Sequence, residues 1–208
     1  MNSQHEYYRN LVAIMLKTRG VRFSVSESLR SKERFSLFTV TILSIYIAGL
    51  SIFSALFPEF INGNQGRALN LILVIASFSL LTISLFDHAA NRAVLAEKML
   101  QNAFAITAIM REAERELAKE TPDYGALQMI AARYEAVVNS AGINHTNLDY
   151  KIWIIERKPP SCWLANIFRI AGLRYYKCLR LAGEMAFQLI VIFFVIASTV
   201  SVLYIFAI

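Results

Sequence analysis

RALNLILVIASFSLLTISLFDHAANRAVLAEKMLQNAFAITAIMREAERELAKET, residues 67–121, is the stretch whose reading decides the fold. It holds neither Gly nor Pro, the two strongest helix interrupters. Ala68–Phe86 is apolar apart from Asn70 and a few hydroxyls, and from Asp87 onward charges recur every few residues. Read as one helix it would be about 80 Å long at ~1.5 Å per residue. Its first third suits a bilayer and the remainder suits water. Such a helix would couple a membrane event to an aqueous one. A bend near Asp87 is compatible with the sequence, but nothing there forces one.

Composition agrees with membrane insertion. Of 208 residues, 56% are hydrophobic, against about 45–50% in soluble domains, and the excess sits in three blocks. The net charge of +6 is modest; its distribution says more. Residues 1–34 carry 7 basic and 3 acidic groups, residues 87–156 carry 7 and 10, and residues 157–180 carry 6 and 0. Basic groups thus crowd the segments beside the apolar blocks, where lipid headgroups are the expected partners and direct nucleic-acid binding is not. Cys162 and Cys178 have neither disulfide-framework nor zinc spacing and read as reduced thiols. The N-terminus shows no cleavable signal pattern.

Working outward, Phe35–Phe57 is free of charge for 23 residues and forms a first span. Pro58–Arg67 is a tight turn, and Ala68–Phe86 returns as the second span. Ala186–Ile208 is a third charge-free run. On the first span Ser44, Ala48, Ser51 and Ala55 make two small-xxx-small pairs, suited to packing within the chain or to a homo-oligomeric seam. On the second, Asn70, Ser77 and Ser84 fall seven apart. This polar stripe suits interhelical hydrogen bonds or a water-lined pore face. Past Asp87, Ala96, Met99, Ala103, Ile106, Met110, Ala113 and Leu117 keep a 3.5-residue period, the mark of a bundle seam. Thr121-Pro122 is expected to cap a new helix running to about Ser140, folded back as a hairpin.

Before the first span, residues 3–18 read as a short amphipathic helix ending at Arg19-Gly20, with Tyr8, Leu11, Val12 and Met15 on one face. Arg30, Lys32 and Arg34 follow as a membrane-surface anchor. Arg174, Lys177 and Arg180 play the same part before the third run, in an aromatic, basic segment of interfacial composition. These flanks predict a cytoplasmic N-terminus, an outer Pro58–Arg67 loop, cytoplasmic residues 87–185 and an outer C-terminal residue. The expected architecture is an all-α membrane protein. It has three transmembrane helices, about 35–57, 68–86 and 186–208, and a cytoplasmic helical hairpin, about 87–120 and 122–140. Its parts are a cytoplasmic N-terminal segment (1–34), a transmembrane hairpin (35–86), a cytoplasmic hairpin (87–156), a basic juxtamembrane segment (157–185) and the third span (186–208).

After the hairpin stands Asn144-His145-Thr146-Asn147-Leu148-Asp149-Tyr150. These residues suit capping and turn-fixing. The Asn-His-x-x-x-Asp-Tyr string, behind two spans and a helical hairpin, resembles the SLATT family, the SMODS- and SLOG-associating two-transmembrane effectors of bacterial conflict systems. The resemblance covers roughly residues 10–185. Ala186–Ile208 departs from the two-span minimum and is similar to an extension in the branch coupled to reverse transcriptases. The resemblance implies a membrane effector in antiphage immunity. It would permeabilise the inner membrane when a nucleotide second messenger, or a nucleotidyltransferase or reverse-transcriptase partner, reports infection. On it, Asn144, His145, Asp149 and Tyr150 are a structural signature, and no catalytic residues follow.

The residues themselves offer no catalytic set. His5, His88 and His145 are far apart, and no metal-ligand cluster, nucleophile–base placement or glycine-rich phosphate loop is evident. Neither a metal nor a cofactor is expected. Taken with what the resemblance implies, the chain reads as a non-enzymatic homo-oligomeric effector of the bacterial inner membrane, ending in cell death or growth arrest. The alternative is a non-conducting scaffold or sensor that docks a cytosolic partner on its hairpin.

Overall fold

The computed structural model describes residues 3–58, 63–142, 147–157 and 162–207. They form six α-helices: α1 (Ser3–Leu56), α2 (Asn64–Ala90), α3 (Arg92–Leu117), α4 (Tyr124–Ser140), α5 (Asn147–Arg157) and α6 (Trp163–Ala207). Among the described residues there is no strand. Two compact units emerge, one from Met1–Arg30 with Ala93–Cys178, the other from Ser31–Arg92 with Leu179–Ile208.

The first unit is built on the 3.5-residue seam. Ala96, Met99, Ala103, Ile106, Met110 and Ala113 are all buried on α3. α4 covers them with Leu127, Ile130 and Tyr134, as the hairpin reading expects. A further cover comes from the start of α1, whose Met15 is in the core and whose Tyr8, Leu11 and Val12 pack against it. Small residues let α1 approach α3 closely. Ser26 Oγ donates to the Ala96 carbonyl at 2.8 Å. Arg22, buried on α1, donates to Met99 Sδ at 3.2 Å and to the Val138 carbonyl at 3.5 Å, tying α1 to both seam helices. Burial pulls the Arg22 pKa below its ordinary value, opposed by the Tyr134 phenol.

Three local expectations change. The helix does not stop at Gly20: α1 continues through it. Gly20 is instead a close-approach position, since a methyl there would overlap the Trp153 indole. α4 is capped by Asp123 rather than Thr121, the carboxylate accepting from the amides of Gly125 at 2.8 Å and Ala126 at 3.2 Å. The 67–121 helix is interrupted at Asn91, which takes φ 48° between α2 and α3.

At the α3–α4 turn Glu116 accepts from Lys119 Nζ at 2.6 Å and from the Asp123 amide at 3.1 Å. The Lys119 hydrogen bond first, and the amide second, hold its pKa below the usual carboxyl value. A lowered carboxyl pKa favours the fold above the unfolded-state pKa, and that contribution is lost as pH falls through the folded-state value.

In the second unit α1, α2 and α6 meet around Leu43, Ala76, Ile83 and Val195, flanked by Val40, Tyr46, Ile47, Leu80 and Val191. Its exterior is as apolar as its core: Leu37, Phe38, Ile45, Leu71, Phe78, Phe86, Ile190 and Phe193 are exposed. So large an uncovered apolar surface suits lipid and not water. The helical runs Ser3–Leu56 and Gly66–Leu117 each contain a window long and apolar enough to cross a bilayer. On α6 the described apolar run, Gln188–Ser201, falls short of the ~20 residues a crossing takes. Two spans are therefore carried by the described residues, and the third expected at 186–208 is not shown.

The Gly20–Trp153 contact makes a direct test. Gly20→Ala should destabilise the purified protein by roughly 1–3 kcal/mol through overpacking. In a Trp153→Ala background the same change should become neutral or stabilising by up to about 1 kcal/mol, from helix propensity alone. Equal losses of thermal stability in the two backgrounds would refute the packing account. Separately, the stability difference between wild type and Glu116→Gln should be present at neutral pH. It should vanish in acid titrations as pH falls through the lowered Glu116 pKa.

Candidate functional site

Three helices of the second unit bring polar side chains to one level. Ser36 of α1 donates to Asp87 of α2. Gln188 of α6 donates through Nε2 to Ser36 Oγ at 2.7 Å and lies 3.4–3.5 Å from the two Asp87 carboxylate oxygens. Arg92, the first residue of α3, donates to Asp87 Oδ1 at 2.7 Å. Both members of that ion pair are mostly buried, with side-chain exposures of 16% for Arg92 and 22% for Asp87. Asp87 is thus the hub of a clasp that ties α1, α2 and α6 together.

Local sequence explains why these residues align. Ser36, Asp87 and Gln188 each lie within three residues of the end of a charge-free run. One heptad further along α1 and α6, about 10 Å away at ~1.5 Å per residue, are the core residues Leu43 and Val195. α2 runs the other way, from Asp87 back to Ile83 and Ala76.

The clasp does not satisfy every polar atom. Gln188 Oε1 and Thr39 Oγ1 are buried without a hydrogen-bond partner. Each such group costs about 1–3 kcal/mol, while an interhelical hydrogen bond in lipid gains about 0.6–2 kcal/mol. The two orphaned oxygens therefore offset part of what the clasp hydrogen bonds contribute.

The residues singled out from sequence fall elsewhere. Asn70 and Ser77 are exposed and Ser84 is half-buried. Ser77 donates to the Leu73 carbonyl and Ser84 to the Leu80 carbonyl, four residues back on their own helix. The stripe of α2 that packs inward is Leu69, Ala76 and Ile83, one residue ahead of them. Ala48, Ser51 and Ala55 are exposed and Ser44 is half-buried, with Ser44 and Ser51 again bonded to their own helix.

Among the basic residues, Arg30 pairs with Glu97 at 3.0 Å and Lys177 with Glu156 at 2.7 Å. Lys32 is buried, Arg34 and Arg174 are exposed, and Arg180 is half-buried. Asn144 and His145 lie outside the described residues. Asp149 is buried in the first turn of α5, and Tyr150 stacks on Trp153 at 6.2 Å between ring centroids. Tyr150 thereby helps seat the indole against Gly20. No group of three His, Cys, Asp or Glu that could hold a metal ion occurs among the described residues.

Sequence reasoning missed the clasp. Its signal was the coincidence of one polar residue near the same end of three apolar runs, visible only when the runs are aligned side by side. In the first unit it also missed a groove of about 520 Å³ between α3 and α4, lined by Lys98, Asn102, Val137 and Ala141 among others. The Asn102 amide donates to the Val137 carbonyl there, and its own Oδ1 is buried without a partner.

The two apolar helical runs, the lipid-suited exterior of the second unit and the more polar first unit define a helical membrane protein. The chain matches the model of the SMODS and SLOG-associating 2TM effector domain family 5 over residues 4–207, and it belongs to that family. Neither the curated proteins nor the solved structures gave a match.

The clasp is open to a double-mutant test. Gln188→Leu should cost about 1–2 kcal/mol of stability in reversible unfolding from lipid or detergent. Asp87→Ala should cost more, about 2–4 kcal/mol, because Arg92 loses its counter-charge in a mostly buried place. Asp87→Ala/Arg92→Ala should then be more stable than Asp87→Ala alone. Additive losses would show that the ion pair is not part of the clasp.

Proposed function

We propose that this chain is a non-enzymatic membrane effector of bacterial antiphage defence that permeabilises the inner membrane once infection is signalled. In this reading it is multi-pass, with the N-terminus in the cytoplasm and α6 completing a third crossing. Several copies assemble, and opening of the α1–α2–α6 bundle breaks the barrier. The cell then dies or stops growing.

The observation that carries the reading is the Asp87 clasp inside an apolar-surfaced bundle. A channel or lesion needs a closed state that a modest signal can open. Three side chains and one ion pair, offset by two orphaned oxygens, give a balance of a few kcal/mol. A tenfold population shift takes about 1.4 kcal/mol, so a ligand or partner of ordinary affinity suffices. Family membership supports the effector role.

A second reading, a non-conducting scaffold or sensor, is favoured by one observation. The groove beside Asn102 offers a small-molecule signal or a partner a place to dock on the first unit. Under the effector reading the same groove would receive a nucleotide second messenger, or a surface of a nucleotidyltransferase or reverse-transcriptase partner.

Induced expression in cells loaded with a potential-sensitive dye separates the two. The effector reading expects depolarisation before growth arrest, and earlier depolarisation for Gln188→Leu at equal membrane abundance. Growth arrest with an intact membrane potential would overturn it in favour of the scaffold.

A further inference from the structure

From Trp163 to Cys178, α6 belongs to the first unit, and its two faces are the reverse of an ordinary surface helix. The face turned toward the rest of the unit is mixed: Asn166, Arg169, Leu173 and Tyr176 are half-buried, at spacings of 3, 4 and 3 residues. Arg169 on that face donates to the Glu156 carbonyl at 3.2 Å and to Asn166 Oδ1 at 3.1 Å. The face turned away is the apolar one. Leu164, Phe168, Ala171, Tyr175 and Cys178 are all exposed, at spacings of 4, 3, 4 and 3 residues. Phe168 is 75% exposed and Tyr175 63%. A helix packed on a soluble unit turns its apolar stripe inward, so this outward stripe calls for a partner.

The spacing says what kind of partner. A 3.5-residue period over two heptads is the pattern of a seam between helices, and it is the period with which α3 receives α4 in the same unit. Anionic lipid headgroups suit this face less well, because the nearby cations are engaged on the unit itself. Arg169 is bonded inward, and Lys177 pairs with Glu156 at 2.7 Å. A second copy of α6 offers a stripe of the same period, with small Ala171 between the large rings of Phe168 and Tyr175. At about 150–250 Å² per aromatic side chain, the exposed parts of those two rings offer about 200–350 Å² per copy. A free-standing complex buries about 800 Å² per partner. The seam is therefore too small to hold dilute soluble copies together, and it suits copies already concentrated in one membrane.

We infer that the stripe Leu164, Phe168, Ala171, Tyr175 and Cys178 is a self-association seam, covered by the same stripe of a second copy running parallel to it. Each position then meets its own counterpart, so the two Phe168 rings pack together and the two Cys178 thiols lie side by side. This deepens the effector reading by naming a surface through which copies assemble, and it rests on that reading for placing the copies the same way round in one membrane.

The seam is tested in the full chain, in the membranes of expressing cells, by disulfide formation under a mild thiol oxidant. The chain's two cysteines are both exposed, so Cys162→Ser leaves Cys178 as the single thiol. That variant should form a covalent dimer. Phe168→Glu in the same background should slow dimer formation about tenfold or more, since an unpaired carboxylate is costly to bury in an apolar contact. It should leave the thermal midpoint unchanged, because Phe168 is exposed within its own copy.

Single cysteines in a background lacking both native thiols read the period. Leu164→Cys and Ala171→Cys lie on the stripe, whereas Trp163→Cys and Ile170→Cys are exposed positions one residue off it, turned away by about 100°. The first pair should cross-link much faster than the second. Equal rates at all four positions, as for a stripe that faces lipid, or no response of Cys178 to Phe168→Glu, would overturn the seam. Membrane potential is followed in the same cells. Stripe-specific cross-linking with an intact potential would keep the seam and sink the effector reading; depolarisation without stripe-specific cross-linking would do the opposite.

Discussion

A mostly buried carboxylate at the end of an apolar bundle draws most of its donors from the protein. Asp87 draws them from Ser36 on α1, Gln188 on α6 and Arg92 at the start of α3. That requirement fixes the register of the second unit. Once these residues share a level, Leu43, Ile83, Ala76 and Val195 meet in the core. One charge converts a greasy, non-specific association into a defined one.

The first unit is ordered differently. Its specificity comes from size. Ala at seam positions 96, 103 and 113, Ser26 against the Ala96 carbonyl, and Gly20 beneath the Trp153 indole let backbones approach where larger residues would hold them apart. Large residues then fill the remaining volume: Met15, Ile106, Leu127 and Tyr134. Trp153 itself is held by Tyr150 stacked on one side and by the Arg157 guanidinium 5.6 Å from its ring centre. Tyr150, the last residue of the signature string, therefore has a structural task in seating this ring.

Much of the fold was legible because it is written as periodicity. Charge-free runs of about 20 residues and a sustained 3.5-residue spacing give spans and seam without knowledge of contacts. What the sequence concealed depends on pairing between distant segments. Gly20 looks like a helix stop because propensity alone describes Gly, whereas its role follows from an indole 133 positions away. Asn91 looks like any polar residue in a helix, and with no Gly or Pro beside it nothing in the sequence announces its left-handed setting. Asp87 was legible as a boundary, but its partners at positions 36 and 188 belong to other runs. The stripe Asn70, Ser77 and Ser84 has correct heptad spacing, but spacing does not say which face of a helix turns inward.

That last point has a mechanical consequence. The inward stripe Leu69, Ala76 and Ile83 and the polar stripe Asn70, Ser77 and Ser84 are parallel tracks one residue apart on α2. Adjacent residues on a helix are separated by about 100° of rotation. Turning α2 about its own axis by that amount, with no tilt and no sliding, would bring three polar positions, Asn70, Ser77 and Ser84, to where Leu69, Ala76 and Ile83 pack. α2 thus carries two profiles on one shaft, like a cam, and the Asp87 clasp holds the apolar one against its neighbours.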